Sequence, residues 1–367
     1  MEETKKTNNN NGLRWIIFFG MLSIVLVLVG IDVIVNINRK VIQTTNITKT
    51  EKEVTITDQG IAEAVDKLYD ATVIVELMQG DSVLGWGSGF VYKSEGNDAY
   101  IVTNYHVTDG YKEVRIEYTD GTYTNGTVVG GDEYTDVSII KVDAKTIKKV
   151  AETGDSSKTQ VGDTVFAVGT PISMKFKFSV TRGILSGKNR LISMANKNKT
   201  ESWYINLLQM DATINSGNSG GPLANANGEV IGINNSKLAS DTIENIGFAV
   251  PIEDVKNVAE QVLSKGTVER PYLGVGLTTL EAAKYQGIID QNVNTQGAVI
   301  GSIENNSALG KAGIKVGDII TKFGDYEIQD YKYLRYYLFR YKVGDKVSFT
   351  YVRDGKEHNA EVTLQKK

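Results

Sequence analysis

The chain has 367 residues, no cysteine and only two histidines. Without cysteine, disulfides, thiolate catalysis and cysteine metal sites are excluded. The absence does not fix a compartment, but it suits an extracytoplasmic protein that needs no redox machinery. Any imidazole chemistry falls to His106 or His358. The chain also lacks a charge excess: 40 Lys and Arg stand against 44 Asp and Glu, a net charge of −4. That gives no electrostatic case for a nucleic-acid partner. No acidic loop of the calcium-binding kind is evident, and the reading below calls for no metal and no cofactor. The 23% charged and 41% hydrophobic content is ordinary globular usage, and the length suits two or three domains with their own cores.

Residues 1–14 are polar, with four successive asparagines at Asn8 to Asn11, and read as a cytoplasmic tail without fixed structure. Residues 15–31 carry no charge and are dominated by Ile, Val, Leu and Phe. With Val33, Ile34 and Val35 they make about 20 apolar residues, enough to span a hydrocarbon core as a helix. A signal peptide is the rival, but the run is long for one and no clear small-residue cleavage site follows. A transmembrane helix is expected over 15–35. Lys5, Lys6 and Arg14 before it and Arg39 and Lys40 after it leave the charge rule for orientation weak. The lack of cysteine and the chemistry below favour the N-terminus inside and the bulk outside. Residues 36–60, rich in Thr, Asn and Lys, read as a linker.

Beyond the linker, Ile61, Val65 and Leu68 are spaced for one helix face. From Ala71 to about Val250 the pattern becomes short strands, such as residues 72–77, 89–92, 99–103, 114–118, 137–142, 164–168, 230–233 and 247–250. Turn clusters such as 94–98 and Asp120-Gly121 separate them, so the expectation is a sandwich or barrels. Pro251 then opens and Gly266 closes an amphipathic helix. Roughly the last 95 residues form a second module of common domain size. It has strand-like runs at 297–300, 318–321, 347–352 and 360–364, a helix from Tyr331 to about Arg340, and a hairpin turn at Arg353-Asp354-Gly355-Lys356.

The chemistry gathers around residues 211–223, where Gly217-Asn218-Ser219-Gly220-Gly221-Pro222 sits between apolar runs. Glycines let the backbone bend sharply there. Such a turn can aim the amides of Gly217 and Ser219 at one point, an oxyanion site beside the Ser219 hydroxyl. A plain glycine-rich loop would look alike in isolation. A serine needs a base, and the base needs an orienting carboxylate. His106 follows an apolar strand in Thr103-Asn104-Tyr105-His106-Val107, whereas His358 sits in a charged hairpin. Among the carboxylates between His106 and Ser219, Asp136 stands at the mouth of the apolar run 137–142. The order His106, Asp136, Ser219 is that of chymotrypsin-like folds.

These three segments, with Gly87-Ser88-Gly89-Phe90 and Gly247-Phe248-Ala249-Val250-Pro251, resemble the HtrA (Deg) serine proteases. The resemblance covers residues 71–367. It implies a mainly β fold: a chymotrypsin-like double β-barrel protease domain (61–266) followed by an α+β PDZ domain (271–367). By the same resemblance, Ser219 is the nucleophile, His106 the base and Asp136 its orienting acid. Gly217, Ser219 and Asn218 would form the oxyanion hole. Ile214 and the segment Asn234, Asn235, Ser236, Lys237 and Leu238 would line the specificity pocket, favouring small or medium aliphatic side chains. Ser216 and Ser138 depart from the usual proline and alanine. Tyr272, Leu273, Gly274 and Val275 look like the carboxylate-binding loop of a PDZ domain, with a C-terminal peptide added as a strand beside it. Tyr331, Tyr333, Tyr336, Tyr337 and Phe339 read as packing or as a binding wall. The implied protein cleaves unfolded or damaged polypeptides outside the cytoplasmic membrane and assembles as a homotrimer. The other reading is a non-proteolytic chaperone or peptide-sensing adaptor with a resting triad.

Overall fold

β-branched and aromatic residues recur in short runs between turns, and the backbone closes them into two barrels. The computed structural model describes residues 15–23, 26–31, 33, 58–196, 198, 201–236 and 245–366. The expected tail (1–14) and nearly all of the linker (36–60) lie outside the described residues. Residues 1–55 and 56–367 are separate units. In the first, residues 15–23 and 26–31 are helical with exposed side chains. Among the described residues no helix is long and apolar enough to cross a membrane. Residues 24, 25, 32, 34 and 35 of the expected span are outside them.

In the second unit, helix α1 (Asp58–Tyr69) leads into the first barrel. Its strands are β1 (Thr72–Gln79), β2 (Ser82–Glu95), β3 (Asp98–Thr103), β4 (Glu113–Glu117), β5 (Tyr123–Asp132) and β6 (Val137–Asp143), with the short helix α2 (Tyr105–Thr108) after β3. They run in the order β1-β2-β3-β6-β5-β4, and β4 closes on β1 with Ile74 opposite Glu117. The second barrel uses β7 (Thr164–Gly169), β8 (Ser179–Ala195), β9 (Ser202–Met210), β10 (Pro222–Asn225), β11 (Val230–Asn234) and β12 (Gly247–Pro251), in the order β10-β11-β12-β9-β8-β7. Closure removes exposed strand edges.

Helix α3 (Ile252–Lys265) starts at Pro251 and stops at Gly266, whose φ of 74° is left-handed and whose amide donates to the Val262 carbonyl. Val255, Val258 and Val262 of α3 and Ala64 and Leu68 of α1 join Phe90, Phe166 and Trp203 in one buried cluster. The two helices therefore seal the seam between the barrels, and the same apolar mass holds β3 and β6 at fixed distance from β10 and β11.

The C-terminal domain has strands β13 (Pro271–Tyr272), β14 (Val275–Thr278), β15 (Ala298–Ile303), β16 (Ile319–Phe323), β17 (Tyr326–Glu327), β18 (Lys346–Arg353), β19 (Lys356–Thr363) and β20 (Gln365–Lys366). One sheet runs β14-β15-β16-β18-β19, with β17 on β16, and β13 pairs with β20. Helices α4 (Leu280–Tyr285), α5 (Ala308–Lys311) and α6 (Tyr331–Leu338) pack around it. Leu309, Phe323, Leu334 and Phe349 belong to its own core, apart from the barrels. Phe323 is fully buried there. Truncation to Ala is expected to destabilise this domain by about 3–5 kcal/mol. Chemical denaturation followed by tryptophan fluorescence, whose three tryptophans all precede residue 204, should show a barrel transition near its original midpoint. Backbone circular dichroism should show the C-terminal domain melting earlier.

Candidate active site

Gly217 opens the turn that carries Ser219 at φ 99°, and a Cβ there would stand 2.1 Å from the Thr170 carbonyl oxygen and 2.9 Å from Trp86 Nε1. Only glycine fits that spot. Gly220, at φ 86°, is as tightly enclosed: a Cβ would meet the Ser88 carbonyl and Thr103 Oγ1 at 2.2 Å each. The turn is stitched to the first barrel. The Ser88 amide donates to the Ser219 carbonyl at 2.8 Å, and Ser88 Oγ donates to the Gly217 carbonyl at 2.8 Å. Ser88 Oγ also accepts from Thr170 N at 3.1 Å, and Thr103 Oγ1 donates to the Ser88 carbonyl at 2.7 Å. Among the described residues, neither the Gly217 nor the Ser219 amide donates a backbone hydrogen bond. The Asn218 amide does, to the Asn215 carbonyl at 2.9 Å. Expected in the oxyanion hole, that amide is committed to the turn itself.

Asp136 sits in a turn at φ 55°, left-handed for a side-chain-bearing residue, a conformation Asp tolerates better than most. Asn104 Nδ2 donates to its carbonyl at 2.9 Å. Its carboxylate is buried and accepts three bonds: from the His106 amide at 2.9 Å, from His106 Nδ1 at 2.7 Å, and from Asn235 Nδ2 at 2.8 Å. Hydrogen bonds to an ionised acceptor are among the stronger ones. A carboxylate facing Nδ1 requires the proton there, which leaves Nε2 free to accept. Behind α2, Thr108 Oγ1 donates to Ser138 Oγ at 2.7 Å, so the unusual serine is buried and paired with the helix that carries His106.

The structure thus brings His106 and Asp136 together and leaves Ser219 beside them in a different hydrogen bond. Ser219 Oγ lies 2.6 Å from Ser236 Oγ and accepts from the Ser236 amide at 3.0 Å. No bond joins it to His106 among the described residues. His358, the other imidazole, stacks on Tyr351 at 5.2 Å in the C-terminal sheet.

The expected pocket residues divide. Ile214 is buried in the second barrel's core with Met210, Ala212 and Ala249, against Gly247, where a Cβ would be 2.9 Å from Ile214 Cγ1. Asn234 is buried and gives its side-chain amide to the Pro222 carbonyl at 3.1 Å. Asn235 is buried and turned to Asp136. Both side chains give their Nδ2 groups to the scaffold, while Asn234 Oδ1 is buried without a hydrogen-bond partner among the described residues. Lys237 and Leu238 lie outside the described residues.

In the C-terminal domain, Leu273 is buried, and Gly274, at φ 71°, is backed by Ser307. Its carbonyl accepts from Glu304 N at 3.0 Å, and the Leu273 carbonyl accepts from Leu309 N at 3.2 Å. Tyr272 donates its hydroxyl to Glu304, and burial, then the Glu304 carboxylate, pushes that phenol up to about 12. Val275 and Leu277 of β14 face Tyr331, Arg335 and Leu338 of α6 across a groove of about 390 Å³. Asp330 caps α6 by accepting from Lys332 N at 2.7 Å and Tyr333 N at 3.1 Å.

The aromatic set on α6 turns out to face the protease domain as well as the groove. Tyr331 bonds to Ser202 through its hydroxyl, Tyr333 packs edge-on to Tyr204 at 4.8 Å, and Phe339 packs edge-on to Tyr134 at 4.8 Å. Arg335 donates to the Ser202 carbonyl at 3.3 Å. Arg270, between the domains, lies over Phe339 at 4.7 Å and forms a two-point ion pair with Asp132. Asp132 in turn accepts from Thr135 N at 2.8 Å and Thr135 Oγ1 at 2.7 Å, one residue from Asp136. Nearby, burial pushes the Asp254 carboxyl up to about 6 against the pull of Arg270.

A family model for the trypsin-like peptidase domain matches residues 87–233, and one for the PDZ domain matches residues 271–364. The serine protease Do-like HtrA of Bacillus subtilis (strain 168) is 40% identical over 294 residues, which are 78% of this chain and 65% of that relative. The Lactococcus lactis subsp. lactis (strain IL1403) protein of the same name is 38% identical over 288 residues, 76% of this chain and 70% of the relative. Among solved structures, the HtrA-type protease AlgW with tripeptide has 30% identity and a TM-score of 0.64, covering 84% of this chain and 97% of its own. The serine endoprotease from Yersinia pestis has 27% identity and a TM-score of 0.63, covering 84% and 98%. Fold and site together define a trypsin-like serine endopeptidase with an appended PDZ domain. More narrowly, the chain belongs to the HtrA family of serine proteases.

Two outcomes follow from the site. Replacing Asn235 with Ala removes a bond to a buried carboxylate, worth about 1.5–3 kcal/mol. Steady-state peptide hydrolysis should then show kcat down by roughly tenfold to a hundredfold with KM little changed. Asp254 has a raised pKa, so its contribution to stability is present at pH below the ordinary aspartate range and is lost as pH rises through about 6. Asp254→Asn should therefore raise the melting temperature at pH 8 and leave it unchanged near pH 4.

Proposed function

We propose that this protein is a membrane-anchored serine endopeptidase that hydrolyses peptide bonds of unfolded or damaged proteins outside the cytoplasmic membrane. The observation that carries the reading is the His106–Asp136 pair at 2.7 Å beside the turn that holds Ser219 and two free amides. In the reaction, Ser219 Oγ attacks the scissile carbonyl while His106 Nε2 takes its proton. Asp136 holds the ring and stabilises the imidazolium. The oxyanion that forms is met by the amides of Gly217 and Ser219. His106 then protonates the leaving amine, and water enters by the same base to release the acyl group. No metal or cofactor enters this chemistry. Small or medium aliphatic side chains are the proposed preference at the scissile residue, with Ile214 beneath.

The PDZ groove takes C-terminal peptides, a reading supported by the cleft between β14 and α6 and by the peptides named with AlgW. Residues 15–35 serve as a single-pass anchor with the N-terminus inside, on the strength of their apolar length. Homotrimeric assembly through the protease domains is carried over from the family. The second reading, a chaperone or peptide-sensing adaptor with a resting triad, is favoured by one observation: Ser219 is bonded to Ser236 instead of His106.

Digestion of casein separates the two. Wild type should degrade it, with or without a peptide bearing a hydrophobic C-terminus, and Ser219→Ala should lose at least about a thousandfold. An idle wild type under both conditions favours the adaptor. Carbonate extraction of membranes should leave the full-length chain in the pellet, and release into the supernatant defeats the anchor.

A further inference from the structure

The segment after β11 touches both ends of the relay with consecutive residues. Asn235 is fastened to β12 by its amide, which donates to the Phe248 carbonyl at 2.9 Å, and its side chain holds Asp136. Ser236, next in the chain, holds the nucleophile: its amide donates to Ser219 Oγ at 3.0 Å and its hydroxyl lies 2.6 Å away. Building on the serine-protease reading, we propose that Ser236 is a positioning residue that sets the resting rotamer of Ser219 and holds its hydroxyl away from His106.

The physical basis is the hydroxyl's limited bonding capacity. Ser219 Oγ has one proton and two lone pairs. In attack, the proton points to His106 Nε2 and a lone pair points to the carbonyl carbon. In the resting arrangement, the Ser236 amide occupies one lone pair, and the Ser236 hydroxyl occupies either the proton or the other lone pair. Attack therefore requires Ser219 to rotate about χ1 and leave these partners. Ser219 is otherwise buried and its carbonyl is fixed by Ser88, so the side-chain rotation is the step open to it. Because Asn235 is anchored to β12 independently of Ser236, Asp136 remains held while Ser219 is released. Ser236 thus sets how readily the hydroxyl becomes available, while Asn235 maintains the orientation of the base.

The test is covalent labelling of the full-length chain with a fluorophosphonate. Ser219 Oγ bonds to phosphorus, fluoride leaves, and the proton passes to His106, so the reaction reads nucleophile availability without a peptide. Ser236→Ala should be labelled about three- to tenfold faster than wild type, the size set by one neutral hydrogen bond. In peptide hydrolysis its kcat should rise by a similar factor with KM unchanged. Ser236→Thr, which keeps the hydroxyl, should restore the slower rate, and Ser236→Gly should accelerate labelling as Ala does. A merely structural role would slow labelling in the Ala and Gly variants. Wild type labelled at Ser219, with both hydroxyl-free variants equal or slower, overturns the positioning role and leaves the protease intact. No labelling of Ser219 in any of these proteins overturns both.

Discussion

The site depends on one buried carboxylate. Asp136 is held on three sides by hydrogen-bond donors that come from two different places in the chain, two from His106 and one from Asn235. A carboxylate taken out of water without such partners would be strongly unfavourable. The fold therefore has to bring β6 of the first barrel to β11 of the second before the acid can be accommodated. The apolar cluster that joins both barrels to α1 and α3 does this. Catalytic geometry and core packing are in this sense one constraint, seen once from the polar side and once from the apolar side.

A second line of contacts runs from the same acid outward. Thr135 is bound to Asp132, Asp132 to Arg270, and Arg270 lies on Phe339 at the end of α6. Each link is a direct contact, and the ion pair is largely shielded from solvent, with Asp132 6% and Arg270 21% exposed. The PDZ domain is thereby joined to the loop that carries Asp136 by packed groups, and α6 contributes aromatic rings to that joint as well as a wall to the peptide groove.

Much of this was legible in the chain. With two imidazoles available, elimination and a strand-end position pointed to His106, and the apolar run after Asp136 marked a buried strand. Strands dominated by β-branched and other apolar residues, such as β6 and β7, were readable for the same reason. Others were not. β8 and β9 form a long twisted hairpin whose register shifts near Gly187, which breaks the two-residue alternation that marks a strand. β5 carries glycines at a bulge between Val128 and Gly130 and gave no apolar signal. The roles of Ser88, Asn104 and Asn235 were also hidden, because a small polar residue beside a strand looks the same whether it faces solvent or fastens a loop. Only the close approach of segments far apart in the chain distinguishes the two.

The Ser88–Gly217 bond joins residues 129 positions apart. A growing chain that has made the first barrel has the histidine and the acid but no turn to hold a nucleophile. The later segment, once synthesised, cannot take its shape until the earlier barrel is there to receive it. Docking of the second barrel on the first is thus what completes the site, because the turn around Ser219 takes its support from residues made long before it.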